Sequence, residues 1–186
     1  SDPSRDTPNL QFHIQPISTD KLGGANLHDF HAFTPTVANI RPTSRGEISI
    51  SSSDTKVNPK IKMNYLSTDE DRKVAADGIK LIRKIVMETN EFKKYEPEEF
   101  RPGSHLNDKE EIVKACSHYA QTIFHPVGTC KMGNDESAVV SDKLKVHGIN
   151  KLRVIDASIM PNITSGNTNA PTIMIAEKGA DMILSP

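Results

Sequence analysis

The stretch His125-Pro-Val-Gly-Thr-Cys-Lys-Met-Gly133, followed by Leu152-Arg-Val-Ile-Asp-Ala-Ser158 and Ser165-Gly-Asn-Thr-Asn-Ala-Pro171, decides how the chain is read. It places a proline-stiffened histidine and a glycine-positioned amide in the same third of the sequence. The bond to Pro126 holds the His125 backbone extended, and Gly128 lets the chain turn sharply behind it, so the imidazole is aimed by its own neighbours. A fixed imidazole is what a general base needs. On spacing alone, a histidine beside a proline is more often a structural hydrogen-bonder than a base, and Asn167 and Asn169 read equally plainly as turn and cap residues.

Outward from this stretch, the sequence punctuates itself into short elements. Leu10, Phe12 and Ile14 alternate with Gln11, His13 and Gln15, the period of a strand with one buried face, and Pro16 ends it. A loop with Gly23-Gly24 leads to a strand around Phe33 to Arg41. Gly46 to Ser51 alternates again, and Ile61 to Leu66 adds a short strand, so the first part reads as an antiparallel sheet. Ser67-Thr-Asp-Glu70 is a capping box for a helix of about five turns, with Val74, Gly78, Leu81, Ile82, Ile85 and Val86 on one face. Asn107 to Glu110 starts a second helix, with Ile112, Cys116, Tyr119 and Ile123 in a stripe, ending near Phe124 because Pro126 follows. Tyr95 to Gly103 is a loop between them. Leu144 to Gly148 reads as extended and Leu152 to Ile155 as a buried strand. A last helix begins near Ala170, accepts Pro171 in its first turn, and runs through Ile173, Ala176, Ala180 and Ile183.

Composition narrows the function classes. With a formal charge of -1 over 186 residues, no basic stripe exists to grip a phosphodiester backbone, and a nucleic-acid partner is not expected. No apolar run is long enough to cross a bilayer, and Ser1-Asp-Pro-Ser-Arg-Asp6 lacks a charged-then-apolar signal pattern. Cys116 and Cys130 are too few for a disulfide framework and read as reduced thiols, which favours a cytoplasmic location or one peripheral to the inner membrane. A zinc set of Cys116, His118, His125 and Cys130 is the alternative, although its spacing matches no familiar pattern, and no metal is expected.

In combination, His125 to Thr129, Val139-Val140, Leu144 to Gly148, Leu152-Arg-Val-Ile-Asp-Ala-Ser-Ile-Met-Pro161 and Ser165 to Lys178 resemble the C-terminal signature of the glucose-methanol-choline (GMC) oxidoreductases. The resemblance is strongest to bacterial choline dehydrogenase and alcohol dehydrogenase members. Arg41 to Ile48 and Asn64 to Asp69 resemble the family's substrate domain more weakly. The resemblance implies an α+β fold, an antiparallel sheet covered by helices, with a C-terminal strand and helix that belong to the FAD domain in the whole family fold. Residues 1–124 would then be a portion of the substrate-binding domain, and residues 125–186 the active-site turn with the returning strand and helix.

The same resemblance implies a flavoenzyme that oxidises a primary alcohol, choline or a relative, by hydride transfer to flavin N5. By position, His125 matches the catalytic base and Asn167 the group that hydrogen-bonds the substrate oxygen. Asp156 and Ala157 match the segment lying against FAD, and Thr168, Asn169, Ala170 and Pro171 the turn beside the flavin ring. The Gly-x-Gly-x-x-Gly motif that seats the FAD pyrophosphate in the family is missing from this sequence. The chain therefore reads as a C-terminal portion whose partner is an N-terminal FAD domain, and which alone binds FAD weakly or not at all and is inactive. The electron acceptor is left open between oxygen, quinone and others. The competing reading is a non-catalytic interaction module that keeps the fold.

Overall fold

A computed structural model describes residues 1–20 and 26–185. The Gly23-Gly24 loop expected from the sequence lies outside the described residues. The chain folds into two compact units, residues 1–44 with 65–122 and residues 45–64 with 123–186. Elements are mixed helix and small antiparallel sheets, the α+β class expected.

In the first unit, β1 (Leu10–Gln15) pairs antiparallel with β2 (Thr34–Asn39), placing Phe12 opposite Val37. Helix α1 (Asp69–Glu88) packs on β2, approaching so closely that a methyl on Gly78 would stand 3.0 Å from Val37. Phe12 and Ile14, on the face expected to be buried, are both exposed. The short α2 (Asn90–Lys93) was not foreseen, and α3 (Lys109–Tyr119) is capped by Asp108, whose carboxylate accepts from the Glu110 and Glu111 amides. Ala76, Ile112 and Val113 form the core, flanked by Ile79, Leu106 and Cys116. The connecting loop is held by Arg83, which forks onto Glu99 at 2.8 and 2.9 Å and also donates to the Gly103 and Leu106 carbonyls.

Two expectations need correction here. The helix cap is Thr68, not Ser67: its hydroxyl accepts from the Asp71 amide, while the Ser67 amide donates to Ser44. Helix α3 ends at Tyr119 and not at Phe124. Ala120 is already extended, and Phe124 takes a left-handed φ of 64°, so the residues before Pro126 form the approach to the histidine instead of a last helical turn.

In the second unit, β3 (Glu47–Ser49) pairs with β4 (Lys60–Lys62) as a separate two-stranded sheet, so the strands form two small sheets and not one. The core is Val140, Leu144, Ile159, Met160 and Ile175, with Val127, Met132, Val154, Ile155 and Met182 packed around it. A 3-10 turn (Ala157–Ile159) precedes helix α4 (Asn169–Leu184). The strand expected over Leu152 to Ile155 does not form. Lys151 enters it with a φ of 63°, Asp156 closes it with an Asx turn onto Ser158, and an isolated bridge from Arg153 to Lys145 falls between them.

Helix α4 buries Ile175 and Gly179, while Ile173, Ala176, Ala180 and Ile183 face outward. Leu152, Met174 and Leu184 are exposed as well. Gly179 permits close packing: a Cβ there would come within 2.4 Å of Ile155. Gly179→Ala is therefore expected to destabilise the fold by about 1–3 kcal/mol through overpacking, read as a lowered denaturation midpoint.

Candidate active site

Two turns within the second unit carry the candidate side chains. The first runs from Phe124 to Gly133. Phe124 is left-handed, Pro126 disfavours a helical backbone at His125, and Gly128 adopts a φ of 91° that a side chain would resist. The Cys130 amide donates to the Ser158 carbonyl (3.0 Å) and the Met132 amide to the Ile159 carbonyl (2.8 Å), tying this turn to the 3-10 turn below it. The second runs from Ser165, also left-handed at 64°, through Gly166 and Asn167 into α4. A non-glycine residue in this region stores strain, and here one opens each of the two turns that present the candidate groups.

These turns bring three side chains into contact. Asn167 Nδ2 lies 2.9 Å from His125 Nε2, and Thr168 Oγ1 lies 2.9 Å from His125 Nδ1. The Thr168 amide also points at Nδ1, at 3.4 Å. The ring is half-buried, Asn167 is exposed, and Thr168 is buried. Both ring nitrogens are therefore engaged within the site, and among the described residues no three His, Cys, Asp or Glu side chains are grouped to hold a metal ion. The contact with Thr168 is one the sequence reading missed, though a signal was present: a threonine cap followed three residues later by proline has no third amide to bond.

The remaining candidates are placed around this group. Asp156 is exposed, and its carboxylate accepts from the Ser158 amide at 2.7 Å, capping the 3-10 turn that Ala157 begins. Asn169, Ala170 and Pro171 form the first turn of α4, one residue earlier than expected. Asn169 and Ala170 are exposed, the turn carries no acidic residue, and the Thr168 side chain makes no cap bond to it. The positive end of this 16-residue helix lies at that turn.

The family-model comparison matches GMC oxidoreductase over residues 42–176, which spans both turns. The chain belongs to the GMC oxidoreductase family. Its curated relatives include an oxygen-dependent choline dehydrogenase from Proteus mirabilis, 46% identical over 95% of this chain and 31% of the relative. Another is an alcohol dehydrogenase [acceptor] from Pseudomonas putida, 44% identical over 99% of this chain and 33% of that protein. The chain thus spans about a third of the length of these relatives.

Among solved structures, pyridoxine 4-oxidase from Mesorbium loti superposes with a TM-score of 0.83 at 30% identity, covering 96% of this chain and 35% of that one. An FAD-dependent oxidoreductase from Chaetomium thermophilum superposes with a TM-score of 0.75 at 30% identity, covering 80% of this chain and 26% of that one. No helix among the described residues is long and apolar enough to cross a membrane.

Proposed function

We propose that this chain is the C-terminal, active-site-bearing portion of an FAD-dependent oxidoreductase that converts a primary alcohol to its aldehyde. The observation that carries the reading is the 2.9 Å contact between Asn167 Nδ2 and His125 Nε2. An amide nitrogen can only donate and a bare ring nitrogen can only accept. An alcohol hydroxyl does both, so it can replace this contact, donating its proton to Nε2 and accepting from Nδ2. That double hydrogen bond holds the oxygen where its proton must leave. As the proton moves to Nε2, the oxygen gains negative charge that the Asn167 amide stabilises, and the carbon becomes a better hydride donor.

The residues present fit a flavin. The non-acidic first turn of α4, with Asn169, Ala170 and Pro171 at the positive end of the helix, suits an isoalloxazine edge that gains negative charge, and Thr168, Asp156 and Ala157 complete the proposed cofactor-facing set. When bound, FAD supplies the two-electron acceptor for hydride from the alcohol carbon. In this reading residues 1–124 serve substrate binding and residues 125–186 the active-site turn and the elements that return to an N-terminal FAD domain. The exposed Leu152, Ile173, Met174 and Ile183 are apolar surface suited to such a partner. Cys116 and Cys130 are both free thiols, in keeping with a cytoplasmic location or one peripheral to the inner membrane.

The alcohol is choline or a neutral relative. Of the three tyrosines, Tyr95 lies under Lys94 and Tyr119 under Arg101, so two ring faces already carry cations of this chain and do not favour a quaternary ammonium over a neutral substrate.

Mixing the purified chain with FAD should give no tight stoichiometric flavin. The chain joined to its native upstream sequence should bind flavin and reduce a dye in the presence of a primary alcohol. A flavin-loaded joined protein that oxidises no primary alcohol would overturn the reading.

A further inference from the structure

Thr168 stands directly before α4, where a threonine ordinarily turns its hydroxyl to an amide of the second or third helical residue. Here it makes no such bond. The third helical residue is Pro171, which has no N–H to offer. The hydroxyl lies instead 2.9 Å from His125 Nδ1, on a residue only 7% exposed.

The partners on the ring constrain its proton. A neutral imidazole carries one N–H, and Asn167 Nδ2, at 2.9 Å, presents hydrogens to Nε2. Nε2 is then the acceptor, the proton sits on Nδ1, and the Thr168 oxygen accepts it. The backbone amide of Thr168 favours the opposite arrangement, since it also points at Nδ1 and can only donate. Its 3.4 Å approach is the weaker contact beside the hydroxyl at 2.9 Å.

We propose that Thr168 is a positioning residue that holds the proton of neutral His125 on Nδ1 and so keeps Nε2 bare toward Asn167. This rests on the reading of His125 as the base. The proline at the third position of α4 removes one of the two amides that would otherwise compete for the hydroxyl. Without the hydroxyl, the remaining Thr168 amide would draw the lone pair to Nδ1 and drive the proton to Nε2, where it blocks proton uptake.

The test reads the ring and not the reaction. In the chain labelled with 15N at histidine, above the titration of its imidazoles, the two ring nitrogens of His125 are distinguished by their couplings to the ring protons. The expected result is a pyrrole-type resonance for Nδ1 and a pyridine-type resonance for Nε2. Thr168→Val should exchange the two, and Thr168→Ser should restore the native pattern. A pyrrole-type Nε2 in the native chain, or an unchanged pattern in the valine variant, would overturn the proposal. Should Thr168→Val not fold, the native and serine spectra alone decide. Because no turnover is measured, failure here is separable from failure of the alcohol-oxidising reading.

Discussion

Replacing His125 by alanine in the assembled enzyme is expected to slow alcohol-dependent dye reduction by about 10²–10⁴-fold while bound flavin is retained. The site gives the reason. In the proposed reading the imidazole, aimed by the Phe124 to Gly128 turn, is the base, and its Nε2 meets the Asn167 amide at 2.9 Å. Removing it leaves the alcohol proton to water, while the first turn of α4 and the 3-10 turn keep their backbone. A loss confined to substrate affinity, with unchanged turnover, would instead describe a binding residue.

Replacing Asp71 by alanine should lower stability by about 3 kcal/mol, roughly two orders of magnitude in the folding equilibrium, because a buried carboxylate with several donors is lost at once. Asp71 is 4% exposed. Its oxygens accept from the Thr43 and Ser44 amides at 2.8 Å, the Thr43 hydroxyl at 3.1 Å and Asn39 at 3.2 Å. Burial pushes its pKa up, but the hydrogen bonds from Ser44 and Thr43 outweigh burial and hold the carboxyl below its ordinary value of 3.8. The charged form is thus favoured by folding. Its stabilisation is complete above the ordinary carboxylate range and drains away as pH falls through the depressed value. Denaturant unfolding at neutral pH should show the full loss in Asp71→Ala, and the gap to the native chain should narrow in acid.

Both effects lie on features that the sequence exposed to different degrees. The histidine turn and the Asn167 turn were legible because proline and glycine act locally, and local backbone limits survive into the fold. The helix starts were legible to within a residue, although Ser67 and Thr68 are chemically alike and Ser44, remote in sequence, selects between them. Which face of α4 is buried is left open by its sequence. Ile173, Met174, Ile175 and Ala176 run consecutively, so periodicity admits two stripes, and Gly179 against Ile155 decides between them. Leu152 to Ile155 read as a strand from its apolar content, yet a left-handed Lys151 and the Asp156 turn bracket it. The end of α3 escaped because nothing in Ala120 to Phe124 forbids a helix. The sequence likewise concealed the partner of Asp71, since Thr43 and Ser44 precede it by more than two dozen residues.

The central claim is that His125 and Asn167 act on one oxygen as a unit. It is tested most directly by measuring alcohol-dependent dye reduction in the assembled enzyme for His125→Ala, Asn167→Ala and the double variant. Groups that work as a unit lose rate non-additively, so the double variant should be little slower than His125→Ala alone. Losses that multiply in full, or a native rate in His125→Ala with flavin bound, would contradict it.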